Sequence, residues 1–146
     1  MKEIIFRAKR NGSNIWFYGS YLYYPEVRKA YIIRYNPGLI YTSEYIEIER
    51  DTLGQYSGVD DKAGVAIFEG DIVKARIESG NYESFEWPLM RVSFQRGSFC
   101  LLDRLGGVFA NLSSFAPNVS FEIIGNVYDN HELLEGSEQW LDSHKA

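Results

Sequence analysis

The chain has 146 residues, 45% apolar and 24% charged, with a formal net charge of −5, a globular balance that excludes wholesale disorder. One Cys and two His exclude a disulfide framework and give no basis for a Cys/His zinc centre. Aromatics are the outlier at 16% (11 Tyr, 9 Phe and 3 Trp), and with 13 Gly they favour strands over helices.

Period-two patterning starts at once. Glu3 to Ala8 reads as a first strand, followed by the turn signal Asn11-Gly12. Ile15 to Tyr24 is a second strand, aromatic on both faces, broken by Pro25-Glu26. Ala30 to Tyr35 is a third, ended by Asn36-Pro37-Gly38. Within Leu39 to Arg50, Ile46 and Ile48 alternate with Glu47 and Glu49, which marks a half-buried strand. Residues 1–50 therefore read as an aromatic antiparallel meander.

A boundary is placed at Asp51-Thr52. Leu53 to Gly58 follows, with Gln55-Tyr56 read as a turn, and then a polar turn through Asp60 to Gly64. Val65 to Phe68 leads through Glu69-Gly70-Asp71 into a strand over 72–77. A polar loop spans Glu78 to Glu86, and strands recur over 87–95 and 98–103 around an Arg96-Gly97 turn. Leu105 to Phe115 stays open between a loop and a short helix. Val119 to Tyr128 is the final strand, and Asp129 with Glu132 suggests a capping box at a short terminal helix. Gly136 ends it, leaving a tail whose anchors are Trp140 and Leu141. Short strands at this spacing over 51–135 suggest a small β-barrel-like region.

Three blocks stand out in the later two-thirds. They are Thr52 to Lys62 with Gly64, then Ile67 to Val73, then Phe121 to Asn130 with Glu132-Leu133-Leu134. In this order and spacing the chain resembles the YopX family of phage and prophage proteins of Gram-positive bacteria. Phe6-Arg7-Ala8 also looks like that family's opening, although Lys9 stands where an aromatic is usual. The resemblance implies a mainly β, phage-encoded protein in the host cytoplasm. It implies no assigned activity and no catalytic residues.

The residues themselves offer little chemistry. Glu69, Asp71, Asp60 and Asp61 are paired carboxylates of the kind that bind Mg²⁺ or move protons, but successive acids in turns more often bond backbone amides. His131 and His144 lack a nucleophile-elbow partner, and no phosphate-loop glycine pattern occurs. Cys100 lies in an apolar run with no adjoining base, which predicts a buried core thiol.

Charge is segregated along the chain. Residues 1–34 hold seven basic and two acidic side chains, residues 41–73 two and eight, and the last 25 one and six. Lys9 and Arg10 beside Trp16 and Tyr18 form a pattern able to stack single-stranded bases. The same pattern also suits a core or a subunit contact. Gln55 and Tyr56 are the remaining candidates, for recognition or for an inter-subdomain contact.

The N-terminus has no long apolar leader, and no stretch approaches the ~20 apolar residues of a membrane span. The reading is a cytoplasmic, mainly β protein: a meander (1–50), a barrel-like region (51–135) and a tail (136–146). Its expected role is a non-enzymatic interaction module without metal or cofactor. It assembles with itself, because the aromatic content exceeds what a core of this size hides, or with a host or phage protein. The alternatives are a single-stranded nucleic-acid binder and a carboxylate-dependent Mg²⁺ enzyme. The binding candidates are Gln55, Tyr56, Lys9, Arg10, Trp16 and Tyr18.

Overall fold

The computed structural model describes residues 3–35, 42–77 and 84–135. The turn over 36–38, most of the polar loop after Ile77, and the tail with Trp140 and Leu141 lie outside the described residues. The protein is mainly β, with two antiparallel sheets, one of them a curled half-barrel, and a short C-terminal helix. Two compact units divide it, Met1–Gly58 and Val59–Ala146.

In the first unit the aromatic and β-branched runs become strands β1 (Phe6–Lys9), β2 (Trp16–Tyr24), β3 (Lys29–Tyr35) and β4 (Ser43–Glu47). A tight helical turn over Arg50–Thr52 leads into β5 (Gly54–Asp60), and the sheet order is β4-β3-β2-β1-β5. Strand β2 pairs β1 through Trp16 to Gly19 and β3 through Ser20 to Tyr24. The changeover needs Gly19, because a Cβ there would collide with the Ile33 carbonyl oxygen. Beyond β4 the chain returns to the end of β1. The Asn11 amide donates to the Glu47 carbonyl at 2.8 Å and the Glu49 amide to the Lys9 carbonyl at 2.9 Å. The alternation then puts Ala8, Ala30, Ile32, Ile46 and Ile48 on one buried face. Ile32 alone, fully buried, contributes about 1.5–3 kcal/mol by leaving water.

Residues 54–58, Gln55 and Tyr56 among them, lie in a strand, not a turn. The Tyr56 amide donates to the Ile5 carbonyl at 2.8 Å, and Phe6 and Arg7 stand opposite Gln55 and Gly54. The exposed edge of β1 supplies these partners, a long-range pairing that overrides the local turn preference of the glycines. This pairing carries the first unit past residue 50, to Gly58.

The second unit holds β6 (Ala66–Phe68), β7 (Asp71–Ile77), β8 (Phe85–Glu86), β9 (Met90–Gln95), β10 (Ser98–Leu102), β11 (Val108–Asn111) and β12 (Val119–Asn126). Its sheet runs β11-β10-β9-β7-β12, with β8 also on β7. The strand predicted from Trp87 starts only at Met90. Pro88 has no amide proton to give the ladder, so one edge along β7 is split into β8 and β9. Arg96 and Gly97 both take positive φ between β9 and β10, as a two-residue hairpin requires. The segment 105–115, open between loop and helix on sequence, contains β11 and a tight turn, Leu112–Ser114. Ile67, Val73, Ala75, Met90, Val92, Leu101, Leu112 and Phe121 form the core. Cys100 is buried, and burial raises its thiol pKa.

Candidate interaction surfaces

Strand register separates the candidate residues of the first unit. Arg7 faces Tyr18 and Gly54, and Lys9 faces Trp16, so these side chains share the face opposite Ala8. Tyr56 follows Gln55 and joins that face, whereas Gln55 lies level with Phe6 on the other. Neighbours in sequence, Gln55 and Tyr56 do not converge. Arg10 is exposed at the end of β1, where it bridges Ile48.

Four cations of this unit, Arg7, Lys9, Arg34 and Arg50, lie on its own rings. The Arg7 guanidinium sits 4.8 Å and the Lys9 ammonium 5.5 Å from the Trp16 ring centre, and both residues are only 7% exposed. Arg34 lies 4.9 Å from the Phe17 ring centre and Arg50 3.6 Å from that of Tyr23. Arg50 also donates to the Tyr21 hydroxyl at 2.9 Å. Each such pair stabilises by about 0.5–2 kcal/mol. Part of the basic excess of the first 34 residues, Arg7, Lys9 and Arg34, is thus taken up by Trp16 and Phe17. Tyr18, half exposed, is the ring of the candidate group most open to solvent.

The three sequence blocks mostly build turns. In the second unit the Lys62 amide donates to the Phe121 carbonyl at 2.8 Å, and its ammonium lies 3.0 Å from Glu122. Gly70 has φ +90°, its amide donates to Val92, and its carbonyl accepts from Val127, both at 2.8 Å. A Cβ on Gly70 would lie 2.9 Å from the Tyr128 ring. On the same stretch Ile124 is an extra residue, a bulge that lets Gly125 pair with Ile72. A Cβ on Gly125 would meet the Asn130 side chain at 2.5 Å. Asn126 then closes the knot. Its Oδ1 accepts from the Tyr128 and Asp129 amides at 3.0 and 2.9 Å, and its Nδ2 donates to Asp129 at 3.1 Å. In the first unit, Thr52 Oγ1 accepts the Lys9 amide at 2.8 Å and donates to the Glu49 carbonyl at 2.7 Å.

Two of the four acids weighed for catalysis, Asp71 and Asp61, serve turns. Asp71 is 2% exposed and accepts the Phe68 amide at 2.8 Å. Asp61 accepts the Ala63 and Val65 amides, each at 2.9 Å. Among the described residues no group of three or more His, Cys, Asp or Glu side chains is placed to hold a metal ion. No helix of the described residues is long and apolar enough to cross a membrane.

The surface that sequence reasoning missed lies in the second unit. A recess of about 230 Å³ is lined by Trp87, Pro88, Leu89, Met90, Leu105 and Phe109, with Asp103 and Arg104 also lining it. Among the described residues the buried Arg104 Nε finds no hydrogen-bond partner. Leu105 is 77% exposed, Val108 58% and Phe109 50%. Asp103 holds the hairpin tip by accepting the Leu105 and Gly107 amides at 2.9 and 3.0 Å. The available signal was the absence of any charge from Leu105 to Phe121. That run reads equally well as a buried segment, so its exposure could not be told from sequence.

A mainly β protein of two antiparallel sheets is the class defined by this geometry. The family model described as YopX protein matches residues 5–135, and the chain belongs to the YopX family. The crystal structure of protein EF1440 from Enterococcus faecalis is similar, with a TM-score of 0.52 and 24% identity over 92% of this chain and 99% of that one. This likeness supports the fold. No curated protein matches the chain.

Proposed function

We propose that this chain is a non-enzymatic, phage- or prophage-encoded accessory protein that acts in the host cytoplasm as a homo-oligomeric protein-interaction module. The carrying observation is the exposed apolar surface of Leu105 and Phe109 lining a largely apolar recess. Contiguous exposed apolar surface marks association sites. At about 230 Å³ the recess is smaller than the usual small-molecule pocket and suits one apolar side chain. The phage origin and host-cytoplasm setting rest on what membership of the YopX family implies.

Sedimentation velocity over a micromolar concentration series tests the reading. A species heavier than the 16.8 kDa chain is expected, and a single-chain mass throughout overturns it. The nucleic-acid alternative is disfavoured because Lys9 and Arg7 already lie on Trp16. No binding of a labelled single-stranded oligonucleotide at low salt is expected. Salt-dependent binding weakened by Lys9→Ala with Arg10→Ala would revive that alternative.

A further inference from the structure

We infer that β11 is the self-association edge of this protein, where two copies pair antiparallel about a two-fold axis. The inference rests on the homo-oligomeric reading above and names its surface. Strand β11 is bonded to β10 on one side, with Cys100 opposite Asn111, Leu101 opposite Ala110 and Leu102 opposite Val108. Among the described residues no strand pairs its other side. An edge of this kind presents unpaired backbone groups, and natural proteins usually guard it with charge or proline. Strand β4 carries Glu44 and Glu47, β12 carries Glu122, and β6, an uncharged edge of the other sheet, is only three residues long. Strand β11 reads Val-Phe-Ala-Asn, carries neither charge nor proline, and bulges at Phe109, which has no partner residue on β10.

The occupant follows from the same chemistry. An antiparallel edge is complementary to itself, so a second copy satisfies its amides and carbonyls in kind. With no charge from Leu105 to Phe121, two copies meet there without like-charge repulsion. A strongly acidic or basic partner finds no matching field along the strand. Leu105 and Phe109, which line the recess, extend the strand contact into an apolar one.

A two-fold antiparallel pairing centred on β11 brings position 109 of each copy within one cross-strand or diagonal step of its equivalent. Like charges at such a pair repel and opposite charges attract. Phe109→Lys and Phe109→Glu, each alone, are therefore expected to weaken self-association about tenfold or more. An equimolar mixture of the two is expected to recover it. Val108→Lys, at a more exposed position, is the second variant should the Phe109 variants lose the native circular dichroism spectrum. Self-association by the folded variants equal to that of the wild type overturns the β11 assignment and leaves the homo-oligomer standing. A wild type that sediments as a single chain overturns both.

Discussion

Substituting Gly70 by Ala tests whether the matched blocks act through close packing. Two positions share the backbone demand and differ in space. Gly64 has φ +83° and no atom of the described residues within 4 Å of where a methyl would stand, whereas Gly70 has φ +90° and the Tyr128 Cε2 atom at 2.9 Å. Forcing an L-residue into left-handed backbone costs about 1–2 kcal/mol at either site. At Gly70 the added carbon also lies well inside the ordinary ~3.5–4.0 Å carbon contact, an overpacking that costs a further ~1–3 kcal/mol. Gly64→Ala should thus cost about 1–2 kcal/mol and Gly70→Ala about 2–5 kcal/mol. Equilibrium urea unfolding, with a constant slope and a shifted midpoint, reads both. In a Tyr128→Ala background the Gly70→Ala cost should fall to that of Gly64→Ala, giving a coupling of about 1–3 kcal/mol. Equal costs at the two glycines, or strict additivity in the cycle, would refute the reasoning.

Three further outcomes are expected. Thr52→Ala removes the acceptor for the Lys9 amide at a 7%-exposed position and should cost about 1–3 kcal/mol, while Thr52→Ser stays near wild type in the same urea titration. Asn126→Ala takes the acceptor from two amides and should cost about 1–3 kcal/mol by thermal melting. Asn126→Asp keeps that acceptor but sets a carboxylate against Asp129, so its smaller loss should diminish as salt is added. Burial raises the Cys100 pKa and shields the sulfur, so at pH 8 a disulfide reagent should label it only as the protein unfolds. Rapid labelling of the native protein would contradict its place in the core.

Strand identity was largely legible because the signals are local. The Ile46/Ile48 alternation, the aromatic run of β2 and the Arg96-Gly97 turn each announce themselves within a few residues. What escaped depends on distant partners. Strand β5 exists because β1 offers it an edge, as the bond from the Tyr56 amide to the Ile5 carbonyl records. Glycines there look like turn residues when read alone. Similarly, Pro88 beside Trp87 delays β9 to Met90, a displacement visible only once the β7 partner is known.

The surfaces divide along the same line. Placing Lys9 and Arg10 beside Trp16 and Tyr18 in the basic third was sound as composition. Register then set Lys9 and Arg7 on the Trp16 face and left Arg10 exposed at the strand end. The Leu105–Phe109 surface depends on β11 ending its sheet, which no spacing rule conveys. By contrast, the glycine blocks were readable as structural features, and Gly70 and Gly125 sit where a side chain would collide with Tyr128 and Asn130.

The most direct test of the central claim, that copies of this chain associate through β11, is amide hydrogen exchange at residues 108–111 over a dilution series. Pairing across the free edge predicts protection that rises with concentration in β11 and stays constant in β4. Exchange in β11 that does not change between concentrations at which the protein is associated and dissociated would contradict it.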